Sequence, residues 1–242
     1  MKIKLLELSK EEQDLVEKAP QEYGPAFVNA HDLVFLTWTF VNTKKPEAYA
    51  FMLFLSQIQK SLVLCLLSAV RNHEVQFNMM LRFALENASL ASYSLFKPET
   101  NNFYKTDENG IMFPKESANL KAYKWLDKNY TEHSQKIKSM KDNINESFAH
   151  ASILPAPQNI DYGSPQITNM FFDYPDKLFV IKNLWWVANV ALGMLDLFAK
   201  VIRQYPLVTI ADDFVQSLEN YATENYRILN ELKRNPRFAK WL

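Results

Sequence analysis

The chain has 242 residues, enough for one large domain or two small ones with a substantial buried core. Its 27 basic and 27 acidic side chains cancel, so no global field draws it to nucleic acid or an anionic membrane, although a local basic patch is compatible with zero net charge. Four glycines argue against folds built on many tight turns, and 14% aromatic residues argue against disorder.

Gly24, Gly110, Gly163 and Gly193 are too scattered to form a phosphate loop. No linker divides the sequence, so a single helical domain over 1–242 is expected, with a peripheral segment at 1–45, a bundle core at 46–205 and a C-terminal helix at 209–235. The lone Cys65, between Leu64 and Leu66, reads as a small core residue. The first ten residues carry Lys2, Lys4 and Glu7 and lack the apolar stretch of a signal peptide, which sets a cytoplasmic protein as the expectation.

In chain order, Ser9 and Glu12 have capping-box spacing, predicting a first helix that ends before Pro20. Gln21 to Lys45 has no clean period and is read as helix around Asp32 to Val41. Pro46 suits the first position of a long helix reaching about Ser68, and the next runs from about Arg71 to Phe96, stopped by Pro98. Residues 97–114 have the composition of a loop rich in turns. Helices follow over 115–130 and 131–151, and in the second Ile137, Met140, Ile144 and Phe148 form a core-facing stripe.

A cluster of prolines then breaks helicity, and a small hairpin across Tyr162 to Ser164 is expected near 158–173. The longest apolar helix spans about Pro175 to Tyr205. Thr209 and Asp212 open a final amphipathic helix that Asn235 and Pro236 stop. Neither of the two most apolar segments reaches the roughly 20 uninterrupted apolar residues of a membrane span. The expected fold is therefore all-α, a bundle of five to seven helices with one small hairpin, and no membrane partner.

Candidate chemistry gathers on the helix over 71–93. Arg71, Asn78, Arg82, Glu86, Ser89 and Tyr93 recur at steps of three, four or seven, which places them on one stripe of an otherwise apolar helix. An Arg held by a Glu four residues on offers a fork of donors suited to carboxylate or phosphate. Whether the stripe is a site or a wet face depends on its burial. His150 and Glu146 are a second helical pair four apart, and His150 lies off the apolar stripe of its own helix. His31, His73 and His133 complete no recognisable metal motif, so no metal and no cofactor are expected. Trp185, Trp186, Tyr93 and Met79 would line a small-molecule pocket if the helices leave a gap between them.

The segment RFALENASLASYSLF from Arg82, the helix ending ESFAHAS from Glu146 and the hairpin before another long apolar helix together resemble bacterial helical domains related to the HEPN superfamily. The resemblance covers roughly residues 50–200. It implies a dimer and, in many members, a ribonuclease of toxin-antitoxin or phage-defence systems working through an Arg-x4-6-His motif. By that resemblance His150 is the catalytic His. The positions allowed to the Arg hold Asn143, Ile144 and Asn145, and the nearest upstream base is Lys141. The sequence therefore points first to a non-catalytic binding or interaction module in which Arg82, Glu86, Asn78, Ser89, Tyr93 and His150 line a pocket or interface. Its partner would be a second copy, another protein or a small molecule. A HEPN-like ribonuclease and a small-molecule-binding bundle are the alternatives.

Overall fold

The computed structural model describes residues 4–149, 160–161, 168–173 and 176–239. Among these, seven α-helices form the bundle: α1 Leu5–Thr39, α2 Tyr49–Val70, α3 Glu74–Phe96, α4 Ser117–Asn129, α5 Thr131–Ile144, α6 Lys177–Gln204 and α7 Phe214–Lys233. The all-α expectation holds. A π-helical turn, Asn145–Ala149, extends α5. The hairpin expected near 158–173 is present as β4 (Ile160–Asp161) paired antiparallel with β5 (Thr168–Asn169); its turn lies outside the described residues.

Helix α6 is apolar around most of its circumference and is central. Lys177 pairs with Glu22 and Phe198 stacks on Phe40, so α6 runs parallel to the second half of α1. Lys182 faces Glu74 and Tyr205 packs on Phe96, so it also runs parallel to α3. Helices α2 and α7 run back between them. Their shared core centres on four fully buried phenylalanines, with Phe198 5.6 Å from Phe51 and Phe40 5.7 Å from Phe214. By length and composition alone, Pro46–Val70 and Lys177–Gln204 are apolar enough to cross a membrane. In this chain both contribute to that core.

Several expectations need correction. The first helix starts at Leu5, so Ser9 is interior and caps nothing, and it runs through Pro20 to a break at Gly24 (φ 50, ψ −128). That left-handed φ is cheap only for glycine. Pro25 then opens the second half, where a missing amide hydrogen costs nothing. The N-terminal segment is not peripheral: Ala30, Leu33, Val34 and Phe40 are fully buried, because a helix as apolar as α6 must be covered on this side too. Thr209 belongs to strand β6 (Val208–Ile210), which pairs antiparallel with β1 (Val41–Lys44), and α7 begins five residues later at Phe214. Residues 97–114 are not all turn; β2 (Tyr104–Thr106) and β3 (Met112–Pro114) form a second ladder.

Helices α2 and α3 are joined by a Schellman turn. The His73 amide donates to Ser68 O at 2.9 Å and the Asn72 amide to Ala69 O at 3.4 Å, with Asn72 left-handed at φ 58. Asparagine tolerates this conformation and β-branched residues do not. Asn72→Val should therefore lose about 1–2 kcal/mol in urea denaturation, whereas Asn72→Gly should match or exceed wild type.

Candidate functional site

The Schellman turn sets the first turn of α3 beside the first turn of α6, and both need partners for their free amide groups. His73, at the N-cap of α3, supplies no cap. Asp173 does so from across the chain: its Oδ2 accepts the Glu74 amide at 2.6 Å while its own amide donates to Asn72 O at 2.9 Å. Asp176 caps α6 through the Phe179 amide at 3.1 Å, and the Arg237 guanidinium grips its other oxygen. The His73 ring lies against Phe171 and Phe172, and its Nε2 is 3.0 Å from Glu12 Oε1 of α1.

These groups enclose a cavity of about 300 Å³ walled by Asn72, Glu74, Asp173, Asp176, Asn183 and Arg237 among others. Three of its polar side chains are deeply buried, Ser68 at 3%, Glu74 at 5% and Asn183 at 4% exposure. Asn183 Oδ1 is buried with no hydrogen-bond partner among the described residues. Such an atom costs about 1–3 kcal/mol. Three carboxylates and one guanidinium line the cavity, so the lining favours a group that donates hydrogen bonds.

Lys182, next to Asn183, places its Nζ 3.8 Å from Glu74 Oε1 and 3.7 Å from the centre of the Phe179 ring. Burial, helped by the charge of Arg237 and opposed by Glu74, pulls its ammonium down to about 8.

The stripe read from the sequence divides among three environments. At its start, Asn78 donates to Glu74 O at 2.9 Å and is buried beneath the cavity, while Arg71 lies in the turn, outside the helix. In the middle, Glu86 Oε1 meets Arg82 Nε at 3.5 Å and Lys141 Nζ at 3.0 Å. Lys141 also donates to the Tyr123 hydroxyl at 2.9 Å. Burial alone would lower the Lys141 ammonium, and Tyr123 with Glu86 more than offsets it, so the group is raised. At the far end, Ser89 returns its hydroxyl to Leu85 O at 3.2 Å, and Tyr93 packs among Phe96, Phe103 and Trp125. Neither of those two reaches a shared pocket with Arg82. His150 lies outside the described residues.

Trp185, Trp186, Tyr93 and Met79, expected to line a pocket, line neither the cavity beside Asn183 nor the larger one along α6. Trp185 turns to α7, where its Nε1 donates to Asn225 O at 3.1 Å, and Trp186 lies beside Lys182. Among the described residues no three His, Cys, Asp or Glu side chains gather as metal ligands.

Sequence reasoning missed Glu74, Asp173, Lys182 and Asn183, and named Lys141 only as a base upstream of His150 and not as a partner of Glu86. The available signal was the Lys182–Asn183 pair set inside the apolar run FVIKNLWWV, where a polar pair has to find a use. No family model matches the chain, and no curated protein or solved structure matches it either.

Competitive acetylation of the amines across pH should place the Lys182 midpoint near 8, against about 10.4 for ordinary lysines. The folded value lies below the unfolded one, so the buried ammonium costs stability in full below pH 8, and the cost fades as pH rises toward 10.5. Relative to Lys182→Met, wild type should gain stability over that window; a flat difference would show that Glu74 fully offsets burial.

Proposed function

We propose that the chain is a non-catalytic binding module that holds a small, hydrogen-bond-donating molecule in the cavity between the α2–α3 turn and the first turns of α6. The observation that carries this reading is Asn183 Oδ1, an acceptor on a deeply buried side chain that lines the cavity and has no hydrogen-bond partner among the described residues. The carboxylates of Glu74, Asp173 and Asp176 give the site a preference for amines, amidines and amides over anions. Its walls are fixed by the two helix caps, so the space is preformed and little ordering is needed on binding. At about 300 Å³ it lies at the small end of ligand pockets.

The Arg82 and Glu86 pair has a different part in this reading. With Lys141 on the same carboxylate oxygen, it ties α3 to α5. The same contacts occupy Lys141, the nearest base upstream of His150, which gives a ribonuclease centred on His150 no support.

A thermal-shift screen with small amines, amidines, amides and nucleosides at millimolar concentration tests the proposal. A compound at a hundredfold excess over its Kd should raise Tm by about 5–10 °C for a domain of this size. Asn183→Leu should abolish that shift and Asn183→Asp, which keeps an acceptor, should retain it. No shift with any compound, together with an Asn183→Leu protein more stable than wild type, would identify the cavity as an imperfection of packing.

A further inference from the structure

A second cavity lies two turns further along α6, and it does not depend on the polar site. Its floor is α6 from Asn189 to Asp196, its walls come from α5 and the first half of α7, and its volume is about 510 Å³. Leu85, Ile137, Met140, Met194, Leu218 and Ala222 make the lining largely aliphatic. At one end His133 Nε2 sits 2.8 Å from Asp196 Oδ2, an oxygen that also accepts from Lys200 at 2.8 Å.

Gly193 stands in the middle of this floor. It is interior to a 28-residue helix, where glycine is less favourable than alanine. Glycine in such a place normally marks a close approach by a neighbouring helix. None occurs here: Gly193 is exposed, and among the described residues a methyl group at this position would meet no atom within 4 Å beyond its own stretch of helix. The protein's own packing therefore does not call for the missing side chain, which leaves the groove deeper by that volume.

The groove's volume is central to the range of small-ligand pockets, and its aliphatic lining ends at the polar His133 and Asp196 pair. We propose that the groove floored by Gly193 binds a small, mainly aliphatic molecule carrying one polar group, with that group at the His133 and Asp196 end.

The test uses the full chain labelled at its methionine methyl groups, with decanol and decanoate as probes. Met140 and Met194 should shift saturably in the NMR spectrum, and comparison of the two probes reads whether the polar end prefers a hydroxyl or an anion. Gly193→Ala should melt above wild type. Gly193→Leu, which fills the floor, should weaken probe binding by at least about tenfold while remaining folded. Should Gly193→Leu not fold, Ala222→Leu obstructs the groove from α7 and serves the same purpose. Asn183→Leu, in the polar cavity, should leave probe binding unchanged, so the two sites succeed or fail separately. Absence of saturable shifts at Met140 and Met194, or equal binding by wild type and the groove-filling variant, would overturn the proposal.

Discussion

The structure depends on the burial of α6. A helix apolar on nearly every face leaves water only by being surrounded, and α1, α2, α3 and α7 supply that cover. The polar residues that α6 does carry are then forced to specify position. Lys182 can be buried only where Glu74 stands, which fixes the register of α6 against α3. Asn225 bridges from α7 to Asn29 at 3.4 Å and to Asn189 at 3.5 Å, while its backbone oxygen takes the Trp185 indole. Apolar packing alone would tolerate sliding by a turn; these partners do not.

Surrounding one helix with parallel neighbours has a geometric consequence. The end of α2 and the starts of α3 and α6 converge in one region, and helix starts bring unpaired amides that must be satisfied. Carboxylates do this well because they also suit the positive ends of the helix dipoles. Asp173 reaches across to cap α3 and Asp176 turns back to cap its own helix α6, and a polar hollow lies between them. The cavity follows from the way the two helix starts are closed. Its acidic lining follows from the same cause.

The number, order and approximate limits of the central helices were legible because periodicity and proline positions act locally. Pro20 misled, since a proline stops a helix only when the preceding turn cannot adapt, and here the break falls instead at Gly24, the residue able to adopt φ 50. The strands beginning at Val41 and Val208 were hidden because each is three or four residues long and finds its partner 166 positions away at Thr43 and Thr209. The stripe on α3 illustrates a sharper limit. Spacing correctly put Asn78, Arg82, Glu86, Ser89 and Tyr93 on one side of a helix, but a 23-residue helix is about 35 Å long and crosses several environments. Periodicity gives direction around an axis and nothing about what waits along it. Lys141 came from another helix, and Asp173 from a segment without periodicity.

Cost separates the features that bind from those that merely pack. The Lys141 charge is offset by Glu86 and Ser89 is satisfied by its own backbone, so these two residues leave little unexplained in the isolated chain. Among the described residues Asn29 Oδ1, Arg71 Nε, Asn78 Oδ1, Arg82 Nε and Asn145 Oδ1 are also buried without hydrogen-bond partners, but none of these residues lines either cavity. Asn183 and Gly193 differ from all of these. The first leaves an acceptor unsatisfied and the second forgoes a side chain that would fit, and each does so on the wall of a space large enough for a ligand. Against a total stability of about 5–15 kcal/mol, two such concessions on one helix are a substantial fraction. A helix that organises the whole core can carry them only because the packing on its other faces is complete.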